Sequence, residues 1–311
     1  MTENAAMTVL AEGLRFPEAP VAMPDGSVAL VEIAAGRITR VAPDGALSVI
    51  AEPGGGPNGL ALGPDGMLYC CNNGGFLWIE ADGLIRPHGV PDDYETGRIE
   101  RIDPATGSVT RLYDRCGEHR LCGPNDIVFD ARLGGFWFSD LGKVRGRGRD
   151  HGAVYWAATD GSRIVEAAHP VPGGANGIGL SPDGRTLYVA ETETGRLWAF
   201  EVLGPGELRK ERWPSPAGGR MLCQFPGFRR LDSLAVAASG NVCVATLVSG
   251  EITTVSPDGE ILGAVPMGER MPTNICFGGP DRRMAFVTLS TTGKLVSLPW
   301  AEPGLKLAGE P

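Results

Sequence analysis

The sequence predicts an all-β fold, a six-bladed β-propeller with a central channel. Three observations carry that prediction: one short phrase recurs six times in 311 residues, a turn residue falls at the same place in each, and the text between the phrases reads as strands. The phrase is a polar residue, an apolar run, a turn residue seven places on, and a second apolar strand. Its polar residues are Glu18 (PEAPVAMPDGSVAL), Asn58 (PNGLALGPDGMLYC), Asn125 (PNDIVFDARLGGFWF), Asn176 (ANGIGLSPDGRTLYVA), Asp232 (LDSLAVAASGNVCVA) and Asn274 (TNICFGGPDRRMAFV). The turn positions are Asp25, Asp65, Arg132, Asp183, Ser239 and Asp281. Six units give about 52 residues each, close to the roughly 40–50 of a propeller blade, so 1–311 is expected to form one domain.

Within each unit an innermost strand follows the polar residue, a hairpin closes it, a second strand returns, and two outer strands complete a four-stranded blade. Segments 31–41, 152–157, 195–202 and 250–255 have the short alternation and glycine punctuation of strands rather than a helical period. The 46 Gly and 25 Pro gather at turns such as Pro24-Asp25-Gly26 and Pro182-Asp183-Gly184, as many short hairpins require. Successive polar residues are 40, 67, 51, 56 and 42 apart, so the third and fourth units are preceded by inserted material. The longest insertion is read as 84–123, a loop on the binding face and a candidate lid.

Composition excludes several partners. A formal charge of −9 argues against a phosphate backbone, which requires clustered Lys and Arg. The one basic stretch, Arg145 to His151 (RGRGRDH), reads as a solvated loop or a channel-rim segment. No run approaches the roughly 20 apolar residues of a membrane span. MTENAAMTVLAEG lacks a basic start and a long apolar core, and seven scattered cysteines fit a reducing compartment, so a cytoplasmic location is expected. Neither Cys70-Cys71 nor Cys116 and Cys122 has the CxxC spacing of a zinc or redox site.

Innermost strands run along a propeller's channel, so the six polar residues form a ring: Glu, Asn, Asn, Asn, Asp, Asn. Two carboxylates and several amide oxygens aimed at one spot leave buried charge uncompensated unless a cation sits there. Oxygen ligands without His or Cys suit a hard divalent ion. Flexible geometry favours Ca²⁺ over Mg²⁺, with Mn²⁺ or Zn²⁺ as substitutes. His88, His119, His151 and His169 all lie outside the repeated phrases. Such an ion polarises a carbonyl or phosphoryl oxygen and lowers the pKa of bound water, which points to hydrolysis. The motifs GxSxG, HExxH and GxxxxGK[ST] are absent.

These phrases resemble the regucalcin and gluconolactonase (senescence marker protein, luciferin-regenerating enzyme) superfamily, with diisopropylfluorophosphatase as a cousin. The resemblance is carried by EGLRFPEAP around Glu18, CGPNDIVFD around Asn125, GGANGIGLSPDGRTLYVAET around Asn176, LDSLAVAASGNVCVA around Asp232 and PTNICFGGPD around Asn274. It implies a six-bladed propeller whose single catalytic divalent cation is held by Glu18, Asn125, Asn176 and Asp232, with Asp232 also acting as general base or nucleophile. It further implies a small lactone or ester substrate, and the ring members Asn58, Asn125 and Asn274 are read as the groups that orient it. Three departures modify the expectation. Gly123 stands where sugar lactonases place a polyol-binding arginine, Cys276 where the phosphatase cousin has a histidine of its second calcium site, and LeuAspSer where a PDG phrase is usual. Phe16, Phe76, Trp78, Trp137, Phe138 and Trp198 are candidates for an apolar channel mouth. A metal-independent enzyme resembling the strictosidine-synthase group, or a non-catalytic binding propeller, are the alternatives.

Overall fold

The computed structural model describes residues 7–309. Six antiparallel sheets build six blades, each led by one of the repeated phrases. The innermost strands are Pro17–Ala22, Pro57–Leu62, Pro124–Phe129, Ala175–Leu180, Arg230–Val236 and Pro272–Gly278. Each packs on the next and the last packs on the first, which closes the ring around the channel. Among the described residues helix is limited to two short 3-10 turns, Ile33–Ala35 and Ser290–Thr292, and no helix is long and apolar enough to cross a membrane.

The outermost strand of the sixth blade comes from the other end of the chain: Thr8–Ala11 pairs antiparallel with Lys294–Pro299. The blade hairpins behave as their turn residues require. The side-chain oxygens of Asp25, Asp65, Asp183, Ser239 and Asp281 each accept the backbone N–H two residues on, the local bond that makes Asp and Ser turn formers. In the third blade the acceptor is Asp130, which takes the N–H groups of Arg132 and Leu133, rather than Arg132 itself.

The hydrophobic core lies between blades. Trp137, Trp156, Trp198 and Phe200 pack between the third and fourth, and Tyr69, Phe129, Phe136 and Phe138 between the second and third. Trp137, Phe138 and Trp198 are thus core residues and line no mouth. Each sits on a strand covered on both faces, where either side-chain direction is buried.

The long insertion is also placed differently from its sequence reading. It lies in the second blade between Leu68–Asn72 and Arg98–Ile102, over residues 73–97. Residues 98–113 supply ordinary outer strands, Arg98–Ile102 and Val109–Tyr113, and 114–123 is a connector with a small hairpin. The insertion folds as a hairpin of Leu77–Ala81 and Leu84–His88. The basic stretch is a tight hairpin, Val144–Arg145 with Gly148–Arg149, whose Arg145 pairs with Asp150 at 2.7 Å. It is a solvated rim loop.

Candidate functional site in the channel

All six repeated polar residues stand at the start of an innermost strand, second in four blades and third in the two led by Asp232 and Asn274. In every one of these strands the register with its neighbour shifts at this level, between Glu18 and Val21, Pro57 and Gly59, Pro124 and Ile127, Ala175 and Ile178, Leu231 and Leu234, and Pro272 and Asn274. A bulge re-aims a side chain. Repeated six times, it interrupts the ladder at the level of the ring members. The strands come so close here that a Cβ on Gly59 would lie 2.3 Å from Asn125 O, and one on Gly177 2.7 Å from Asp232 O.

Glu18, Asn58, Asn125, Asn176 and Asn274 are buried, while Asp232 keeps partial access to the channel. Glu18 Oε2 accepts Ala19 N at 2.7 Å and Asn274 Nδ2 at 2.8 Å. Phe16 and Ala19 on either side of it both hold positive φ, 57° and 45°, an unfavourable region for side-chain-bearing residues that is characteristic of functional sites. Asn176 donates through Nδ2 to Thr192 Oγ1 at 3.0 Å, whereas its Oδ1 is buried without a partner. Burial pushes the Glu18 carboxyl above its usual range against the pull of Asn274 and Ala19. Asp232 is pushed well above its range by burial and then by the charge of Glu18, with Asn176 opposing. Asp232 therefore senses the charge of Glu18.

A third carboxylate, Asp126, was missed by the sequence reading. Its Oδ1 accepts Ile127 N at 2.9 Å and its Oδ2 accepts Ile178 N from the next blade at 3.3 Å. Burial raises it to about 7, the Glu18 charge adding to the rise and the backbone N–H groups opposing it. The available signal was positional. The residue after each ring member is otherwise Ala19, Gly59, Gly177, Ser233 or Ile275, so Asp126 is the one carboxylate among them. A cavity of about 110 Å³ is lined by Leu60, Ile127, Ile178, Leu234 and Ile275, with Leu305 and Leu307 of the C-terminal segment along its wall.

A second set of repeated acceptors holds the ring from behind, at the ends of the second strands. Glu32 Oε2 accepts Arg15 N at 2.8 Å, Asn72 Oδ1 accepts Gly56 N at 2.9 Å, and Glu191 Oε1 accepts Gly173 N at 2.6 Å. Asp140 takes both Cys122 N at 2.8 Å and Gly123 N at 2.7 Å. Each clamps the chain two or three residues before a ring member, which fixes the entry angle of that side chain. Gly123 is enclosed too, since a Cβ there would lie 2.8 Å from Gly142 O.

The donor set fits a hard divalent cation in chemistry. Two carboxylates, of which Glu18 raises the pKa of Asp232, an unpartnered amide oxygen at Asn176 and the Asn125 amide stand at the starts of innermost strands around one channel. Among the described residues no three His, Cys, Asp or Glu side chains converge as a metal cluster, so any such site here draws on amide oxygens.

The profile of the SMP-30/gluconolactonase/LRE-like region matches residues 16–291. The chain belongs to this family. It is 25% identical over 320 residues to a gluconolactonase of Zymomonas mobilis, spanning 92% of this chain and 80% of that one. It is 30% identical over 206 residues to the diisopropyl-fluorophosphatase of Loligo vulgaris, spanning 60% of each. The fold matches that of a calcium-binding protein, regucalcin, of Agrobacterium tumefaciens, with a TM-score of 0.74 at 18% identity over 97% of this chain and 98% of that one.

Proposed function

We propose that this family member hydrolyses a lactone or related ester at the channel ring, with a divalent cation, Ca²⁺ first, held by Glu18, Asn125, Asn176 and Asp232. The observation that carries the reading is the pairing of two carboxylates, Asp232 feeling the charge of Glu18, with a buried amide oxygen that has no partner. The gluconolactonase relative supports the choice of reaction, and the calcium-binding neighbour the choice of ion.

When bound, the cation supplies Lewis acidity toward the carbonyl and makes a coordinated water easier to deprotonate. The residues of the chain do the rest. Glu18 is fixed by Asn274 and by its own neighbour's N–H, so it holds its place without rearrangement. Asp232, the carboxylate with channel access, takes the proton of the attacking water. The water oxygen bonds to the carbonyl carbon, the ring C–O bond breaks, and the departing alkoxide recovers a proton, giving the hydroxy acid. Asn58, Asn125 and Asn274 orient the substrate oxygens.

Calorimetric titration of chelator-stripped protein with Ca²⁺, beside a lactone panel on stripped and reloaded forms, tests this. One tight site whose filling restores turnover is expected. Turnover indifferent to metal would favour a metal-independent enzyme, and neither binding nor turnover a binding propeller.

A further inference from the structure

Lys143 is the one buried lysine among the described residues, 1% exposed. It stands in the loop of the third blade that follows Phe136–Asp140. Its Nζ donates to Asn73 Oδ1 at 3.2 Å and Gly75 O at 2.6 Å, and lies 4.1 Å from the centre of the Phe76 ring and 5.0 Å from that of Tyr94. All four partners belong to the 73–97 insertion of the second blade. A buried ammonium is tolerated when acceptors and aromatic faces replace its water, and this cage provides both. Tyr94 adds a second tie to the third blade, donating through Oη to Cys122 O at 2.5 Å.

The other end of the insertion reaches the approach to Glu18. Trp78 packs on Phe16 with ring centres 5.1 Å apart and on Phe76 at 5.9 Å, and Glu80 pairs with Arg15. The strand Leu84–His88 lies against the turn Ser290–Thr292 of the sixth blade. The insertion therefore crosses the top of the first blade and is pinned on both sides. Its aromatic face, Phe76 and Trp78, stands beside the strand entry that carries Glu18.

We propose that Lys143 is a positioning residue that pins the insertion so that Phe76 and Trp78 form an apolar wall at the channel mouth, and that this wall selects lactones bearing an alkyl substituent. The selectivity half rests on the lactonase reading; the pinning half does not. The charged and titratable groups around the ammonium are Asp140, Cys122, Arg145 and Asp150 from the third blade and Tyr94 from the insertion.

The test uses the full-length, metal-loaded protein with Lys143→Met, Lys143→Arg and Trp78→Ala. Lys143→Met keeps the length and apolar contacts of the side chain and removes the amine that bonds Asn73 and Gly75. Expected are faster deuterium exchange across 73–97 and a rise of about tenfold in KM for an alkyl-substituted γ-lactone, a size in keeping with the loss of one apolar contact surface. kcat, and KM for the unsubstituted ring, stay within about twofold. Lys143→Arg restores part of the protection. Trp78→Ala, whose ring is only part-buried, reproduces the KM change and keeps the proposal falsifiable should Lys143→Met not fold. Unchanged exchange in Lys143→Met overturns the pinning, and loosened exchange with unchanged KM ratios overturns the wall. If the wild type turns over no lactone, the lactonase reading and the selectivity fall together, while the exchange measurement still decides the pinning.

Discussion

At the scale of single residues, Asn176 separates the demands of folding from those of binding. Its Nδ2 is used by Thr192 and its Oδ1 by nothing in the chain. Replacing it by Ala removes one ordinary hydrogen bond, worth about 1 kcal/mol, and also an unsatisfied buried oxygen. The expected outcome is a stripped protein whose melting temperature moves by only a few degrees and which no longer gains stability on adding Ca²⁺. A stripped Asn176→Ala that loses far more stability would mean that the oxygen serves the fold.

Asp232→Ala separates chemistry from structure in the same way. Removing a carboxylate whose charge Glu18 already disfavours should leave folding unharmed and abolish turnover, as circular dichroism beside a lactone assay will show. Lys143 adds a pH signature. Burial lowers its pKa from 10.5 to about 7, with Asp140 opposing. Between those values the unfolded chain holds a proton that the folded chain has released, so stability rises with pH through that window. Below about 7 both states are protonated and the slope vanishes. Denaturant titrations from pH 6 to 10 should show the rise in the wild type and a flatter profile in Lys143→Met; equal slopes would reject it.

At the scale of strands, the ring depends on two features of sequence that are easy to overlook. Innermost strands pass within contact of one another, so the residue after a ring member must be small where its neighbour's backbone intrudes. Gly177→Ala would press a methyl onto Asp232 O, a contact that overpacking data place at about 1–3 kcal/mol. The displaced partner is itself a ring member, so binding should weaken beyond what the melting temperature alone implies. The acceptors behind the ring are the second feature. Asp140 satisfies Cys122 N, Gly123 N and Gly142 N, and Asp140→Ala would orphan all three at about 1–3 kcal/mol each. Asp140→Asn, which keeps an acceptor, should recover much of that in thermal melts.

These features also explain what the sequence revealed. The six ring members and five of the six turn residues were legible because one chemical type recurs at one offset, and turn chemistry is local; the third blade uses Asp130 in place of Arg132. The clamps were not, because Glu32, Asn72, Asp140 and Glu191 differ in type and their meaning lies in backbone groups of another strand. Lys143 was invisible for a stronger reason: its acceptor Asn73 is 70 residues away and belongs to another blade. The candidate mouth aromatics divide by neighbourhood, buried Phe16 with part-buried Phe76 and Trp78 clustering near the Glu18 entry while Trp137, Phe138 and Trp198 fill the core between other blades, and strand patterning alone does not separate these two cases.

At the scale of the whole molecule, a propeller is a closed ring whose first and last blades must be joined. Here the join is the N-terminal strand Thr8–Ala11 on the edge of the sixth blade, with Leu10 and Ala11 packing into a cluster of Leu14, Val28, Leu30 and Leu295 that bridges the sixth and first blades. Removing residues 1–11 would bare the strand Lys294–Pro299 as an open edge and withdraw that packing. Full burial of a leucine is worth about 1.5–3 kcal/mol; part-buried Leu10 contributes a share of that, and the lost ladder adds to it. A fall of roughly 5–10 °C in melting temperature is expected for a chain of this size, together with a broader transition and concentration-dependent association through the bared edge. Glu18 follows this join directly, so metal affinity should fall with stability rather than survive it. A truncated protein with an unchanged melting temperature and unchanged Ca²⁺ affinity would show instead that mutual packing of the innermost strands is sufficient to hold the ring closed.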